Sequence, residues 1–217
     1  MLEIIPGILE KEWSEIERKI NLVKPFAKSV HIDIIDGKFS PSTTFLDPAP
    51  FAKYTKDLLF EVHLMVEEPI NYLKTFAGAG FKRFLGHVEK MSDQAEFVAQ
   101  GQLLGEVGLA IDGPTDLSAV KVSYSDLDSI LIMGIKAGES GQVFVPEYLK
   151  KMEILRRQLA DQNDIRIPIE IDGGINDKTI TQAKNAGANR FIANSFIFNS
   201  QNPQVQYKLL EEKLSIS

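Results

Sequence analysis

Three short runs hold the residues best suited to chemistry. In His31-Ile32-Asp33-Ile34-Ile35-Asp36-Gly37 the apolar residues are mostly β-branched, as a strand prefers, and residues two apart in a strand share a face. His31 and Asp33 therefore project together, and Asp36-Gly37 supplies turn chemistry directly after them. The same period places Glu61, His63 and Met65 on one face of Phe60-Glu61-Val62-His63-Leu64-Met65. Glu170-Ile171-Asp172-Gly173-Gly174-Ile175 ends a third apolar run with a carboxylate and two glycines, whose bare backbone can approach an anion closely.

Counting donors gives His31, Asp33, His63 and Asp172. This mixed nitrogen and oxygen set suits one divalent ion of Zn, Fe(II), Mn or Co better than Mg or Ca. Each residue also has a plainer use, since a strand histidine can be a hydrogen-bonded core residue and Asp-Gly-Gly a simple turn. Two of the chain's three histidines nevertheless fall at matching places on neighbouring runs, which favours a shared site. The third, His87, either lines the same interior or packs structurally.

Eight apolar runs must position these groups. The pattern predicts strands at Leu2–Ile8, Ser29–Ile35, Leu59–Met65, Arg83–Val88, Val107–Ile111, Ser129–Met133, Ile167–Ile171 and Arg190–Ala193. Between them lie helical segments. Trp13, Ile16, Ile20 and Val23 recur at helical spacing from about Glu12, and Pro69 opens a helix that Gly78-Ala79-Gly80 ends. Ser92 reads as the N-cap of a helix that includes Leu103 and Leu104 and ends near Gly105. Further helices are expected around Phe51–Tyr54, Thr115–Lys121, Pro146–Asp161, Asn176–Ala186 and Gln204–Lys213. Eight alternating β and α units in 217 residues favour a (β/α)8 TIM barrel over a doubly wound sheet. Its site would then stand at the carboxyl ends of the strands, where Asn194-Ser195 also falls.

Composition narrows the partners. With 44% hydrophobic and 25% charged residues the chain reads as one globular domain over 1–217, and no Pro/Ser-rich linker divides it. A net charge of −6 argues against nucleic acid or an anionic membrane as partner and leaves small-molecule chemistry. The absence of cysteine excludes disulfides, thiolate nucleophiles and Cys-based zinc sites. Met1–Leu9 is too short to span a membrane and carries Glu3 and Pro6, so a cytoplasmic location is expected.

The three runs above, with Gly138-Glu139-Ser140-Gly141-Gln142-Val143-Phe144 between the second and third, resemble the ordered motifs of the ribulose-phosphate 3-epimerase family. The resemblance covers nearly the whole chain. It implies a metal-dependent barrel of the ribulose-phosphate-binding type, with His31, Asp33, His63 and Asp172 as ligands and Asp33 and Asp172 as the acid/base pair. It further implies that Met65, Met133, Gly138, Gly141, Gly173, Gly174 and Ser195 contact a ketose phosphate, leading to the ribulose 5-phosphate/xylulose 5-phosphate pair, and that the chain forms a homo-oligomer. Departures stand at Gly7, where the family usually has serine, at Ile35 in place of methionine, at Glu139 in the phosphate lid, and at Asn194 before Ser195. They leave open another ketose phosphate, such as a ketohexose 6-phosphate, or a barrel that binds sugar phosphate without turnover. A decarboxylase or hexulose-phosphate synthase relative is disfavoured, because no lysine stands in Glu61-Val62-His63-Leu64-Met65.

Overall fold

The computed structural model describes residues 2–138, 142–162 and 166–215. Eight parallel strands, β1 (Glu3–Ile8), β2 (Ser29–Ile35), β3 (Leu59–Met65), β4 (Arg83–His87), β5 (Glu106–Ile111), β6 (Ser129–Met133), β7 (Ile169–Asp172) and β8 (Arg190–Ala193), close into a barrel in sequence order. The helices are α1 (Trp13–Val23), α2 (Ile70–Gly78), α3 (Gln94–Gln102), α4 (Leu149–Asp161), α5 (Thr179–Asn185), α6 (Ser195–Phe198) and α7 (Pro203–Ser215). This is the (β/α)8 TIM barrel expected from the alternation.

Strand alternation sorts side chains into two cores. Val30, Ile32 and Ile34 of β2 face outward into a layer shared with Ile16, Ile20, Leu73, Phe76 and other helix residues. Ile35, Met65, Leu85, Leu131, Met133 and Ile192 face inward and form a smaller core within the barrel. Much of the remaining interior is polar. At the amino-terminal end Arg190 pairs with Glu170 at 2.7 Å and Glu3 at 3.3 Å, while Arg83 pairs with Glu106 at 2.7 Å. These guanidiniums close the bottom of the barrel, and the opposite end remains for chemistry.

Several boundaries differ from the sequence expectation for local reasons. The N-cap of α3 is Asp93, whose carboxylate accepts from the Glu96 amide at 2.9 Å, whereas the Ser92 hydroxyl donates to Glu68 at 2.9 Å. An ionised cap suits the positive end of a helix better than a neutral one. Leu103 lies beyond α3 and is 86% exposed. The expected helix at Thr115–Lys121 is only a 3-10 turn at Leu117–Ala119, its start fixed by the Asp116 carboxylate accepting from the Ser118 amide. β7 starts at Ile169, just after Pro168, and runs through Asp172, so this aspartate is the last strand residue. Among the described residues no helix is long and apolar enough to cross a membrane.

Candidate active site

Strand register assembles the site. In β2 and β3, His31 stands opposite Glu61 and Asp33 opposite His63, while Met133 of β6 stands opposite Asp172 of β7. All four expected ligands consequently meet at the carboxyl end of the barrel. One donor atom from each of His31, Asp33, His63 and Asp172 lies within 4.8 Å of the others. His31 and His63 are fully buried, Asp33 is 5% exposed, and the Asp172 side chain is 13% exposed at the cavity wall.

The two histidines present different nitrogens to this point. His31 Nδ1 lies 2.5 Å from Glu61 Oε1 and His31 Nε2 lies 3.2 Å from Asp33 Oδ1. A proton on Nδ1, donated to Glu61, leaves Nε2 directed at the cluster. His63 turns Nδ1 inward, 2.9 Å from Asp33 Oδ1 and 3.8 Å from Asp172 Oδ2. Its Nε2 is buried with no hydrogen-bond partner among the described residues. A buried carboxylate holding the far nitrogen of a ligand histidine is the usual support of a metal site, and Glu61 is placed to provide it. The residues present therefore fit a divalent ion: two nitrogens and two carboxylates converge, and the His31 tautomer is set.

Electrostatics separates the two aspartates. Burial alone would raise the pKa of Asp33, but His31 and His63 outweigh it and hold this carboxyl well below its ordinary range. Asp172 is pushed up to about 7, first by burial and then by the charge of Asp33. Burial opposes charge on His31 too, yet the carboxylates of Asp33 and Glu61 keep its pKa well above the ordinary value. His63 is lowered to about 4, mainly by burial. Without a metal the two carboxyls therefore differ in proton affinity, Asp33 releasing its proton far more readily than Asp172.

Neighbouring loops hold these groups in place. Thr44 Oγ1 accepts from the Ile35 amide and donates to the Asp33 carbonyl, both at 2.9 Å, pinning the end of β2. Asp36 accepts from the amides of Lys38 and Phe39 through Oδ1 and of Glu67 through Oδ2, tying the loop after β2 to the loop after β3. Gly138 has φ +94°, and a Cβ there would approach Ser40 at 2.6 Å, so a side chain is excluded where the loops after β2 and β6 meet.

Asp33 and Asp172 line one cavity of 260 Å³. Met65, Met133, Gly138, Gly173, Gly174 and Ser195 also line it. Gly141 and Glu139 lie outside the described residues. His87 does not join the ligand cluster. Its Nδ1 lies 2.8 Å from Glu89 Oε2, and its ring stacks on His63 at 4.9 Å and meets the Phe39 ring at a tilt, 4.7 Å between centres. At Gly7 a Cβ would come 2.7 Å from Ile192 Cγ2, so the methyl of Ile192 takes the space of the usual serine.

The cavity wall also includes Glu10, Lys19, Gln142 and Asn199, which sequence reasoning did not single out. Glu61 shares a strand face with His63, a signal visible in the sequence, but its pairing with His31 required the strand register.

Comparisons with known proteins agree with this geometry. The ribulose-phosphate 3 epimerase family model matches residues 3–198. Ribulose-phosphate 3-epimerase from Schizosaccharomyces pombe is 31% identical over 208 residues, covering 93% of this chain and 89% of the relative. The Synechocystis protein of the same name is 34% identical over 208 residues, covering 92% and 88%. Among solved structures, orotidine 5'-phosphate decarboxylase from Pyrococcus horikoshii superposes with a TM-score of 0.67 at 17% identity, covering 99% of this chain and all of the other, a likeness of fold. Motif order, closed barrel and full-length similarity agree, and the chain belongs to the ribulose-phosphate 3-epimerase family.

Proposed function

We propose that the protein is a metal-dependent isomerase that interconverts D-ribulose 5-phosphate and D-xylulose 5-phosphate, with Asp33 and Asp172 as its acid/base pair. The observation that carries this reading is geometric: donor atoms of His31, Asp33, His63 and Asp172 converge within 4.8 Å of one another, and both aspartates line one cavity. Epimerisation next to a ketone must break the C3–H bond, move its electron pair toward the C2 carbonyl as a planar enediolate, and return a proton to the opposite face. One carboxylate accepts the first proton and the other delivers the second, and the roles exchange in the reverse direction. A positioned acid or base contributes about 10²- to 10⁴-fold. A divalent ion of Zn, Fe(II), Mn or Co, held by His31, Asp33, His63 and Asp172, would supply electrostatic stabilisation to charge developing on the substrate oxygens.

The rest of the cavity suits a sugar phosphate. Met65 and Met133 give it apolar walls that keep water from the reacting carbon. The backbone of Gly138, Gly173 and Gly174 and the Ser195 hydroxyl would serve the phosphate end, together with Gly141. The same reading makes the chain one domain over 1–217 acting in the cytoplasm. Protein stripped of metal with a chelator and reloaded with each of the four ions tests it by NMR of ribulose 5-phosphate. Xylulose 5-phosphate is expected with at least one ion and not with stripped protein. No conversion with any ion overturns the reading.

A further inference from the structure

Lys19 places a buried positive charge at the wall of the site. It occupies the buried stripe of α1 beside Ile16 and Ile20, and only 7% of it is exposed. Its Nζ lies 2.7 Å from Glu10 Oε1 and 4.7 Å from the centre of the Phe198 ring. Lys19 and Glu10 line the same 260 Å³ cavity as Asp33, Asp172, Gly174 and Ser195. Among the described residues of that lining, Lys19 is the one lysine or arginine. The partner is less confined, since the Glu10 side chain is 30% exposed and can turn toward water while the ammonium cannot.

We infer that Lys19 is the cationic anchor for the anionic end of the substrate, and that Glu10 holds the place of that anion when none is bound. The inference rests on the sugar-phosphate reading above. Backbone amides and a hydroxyl offer a phosphate neutral donors, whereas an ammonium adds the Coulombic attraction of a full opposite charge. A phosphate approaching Nζ is repelled by the Glu10 carboxylate already there, so Glu10 competes with it for the ammonium and, being 30% exposed, has room to give way. The pair is therefore a specificity device, selecting ligands whose negative charge outcompetes a tethered carboxylate.

This makes the two residues act with opposite sign. Lys19→Met keeps the stem that packs in the buried stripe and beside Phe198 but removes the charge. It is expected to weaken binding of inorganic phosphate about 10- to 100-fold, and to raise the KM for ribulose 5-phosphate by a similar factor with a much smaller change in kcat. Glu10→Gln removes the competitor and is expected to tighten phosphate binding several-fold. Calorimetric titration of inorganic phosphate into wild type and both full-length variants decides the matter, alongside steady-state kinetics. Opposite shifts support the anchor. Equal affinities, weakening in both variants, or no phosphate binding by wild type overturn it. Should Lys19→Met fail to fold, the Glu10→Gln arm decides alone, tighter binding sustaining the anchor and unchanged or weaker binding overturning it. Opposite shifts without turnover of ribulose 5-phosphate would keep the anchor and sink the proposed reaction, whereas turnover with unmoved affinities would do the reverse.

Discussion

Replacing Glu61 by glutamine tests how far this carboxylate supports the metal site. Glu61 and His31 are both fully buried, and Glu61 Oε1 lies 2.5 Å from His31 Nδ1. The substitution keeps an acceptor for the Nδ1 proton but removes the charge that makes His31 a stronger donor to a metal. Loss of such a supporting partner typically costs 10- to 100-fold in metal affinity, or about 1.4–2.7 kcal/mol. Stability of the metal-free protein should fall as well. Glu61 Oε2 is 3.8 Å from Arg83 and has no hydrogen-bond partner among the described residues, and Glu61 helps burial raise the pKa of Glu170 to about 7. Removing this carboxylate relieves repulsion with Glu170 but forfeits the attraction of His31 and Arg83, which hold the Glu61 pKa below its ordinary value, so the metal-free fold should lose about 1–3 kcal/mol. Competition between the protein and a chromophoric chelator for Zn²⁺ measures affinity, and urea denaturation of metal-free protein measures stability. Unchanged Zn²⁺ affinity in a folded Glu61→Gln variant would refute the idea that this carboxylate supports His31 as a ligand.

Two other perturbations follow from the same geometry. Because Asp172 is held up to about 7 and His31 well above its ordinary value, the native metal-free protein keeps protons that the unfolded chain releases as pH rises. Its stability should therefore fall between about pH 4 and 7 on account of Asp172 and Glu170, offset in part by His63, whose lowered pKa acts with the opposite sign there, and continue falling through neutrality on account of His31, while metal affinity rises by up to about tenfold per pH unit for each proton displaced. Chelator competition and thermal melts at stepped pH check both slopes, and a flat affinity would contradict the protonation pattern. Gly7→Ser brings a Cβ within 2.7 Å of Ile192 Cγ2, so it should cost about 1–3 kcal/mol in urea denaturation, and much of that should return in an Ile192→Ala background. A variant as stable as wild type would show that Ile192 yields freely.

The barrel and its metal-ligand candidates were legible for specific reasons. Ser29–Ile35 and Leu59–Met65 are β-branched or apolar runs with period-two polar residues and sharp ends, so both strands and their inward faces could be read directly. β7 was displaced because Ile167 and Pro168 continue the apolar run before pairing begins at Ile169. α6 spans four residues and has no periodicity to detect. Lys19 escaped because a lysine on a helix reads as solvent-facing, although its spacing of three from Ile16 puts it on the buried stripe with Ile20 and Val23. The His31–Glu61 contact depends on strand register, and the Ile192–Gly7 contact on how β1 and β8 pack across barrel closure. Local patterns do not carry either.

The central claim is that two aspartates exchange protons at one carbon, and solvent deuterium tests it most directly. Ribulose 5-phosphate incubated in D₂O with metal-loaded wild type should gain deuterium at C3 as xylulose 5-phosphate appears, followed by NMR. Asp33→Asn and Asp172→Asn should each lose interconversion, though either variant could still exchange deuterium into one epimer through the remaining carboxylate. Full two-way epimerisation by a metal-loaded variant lacking one of these carboxylates, or conversion by wild type without deuterium at C3, would contradict the account.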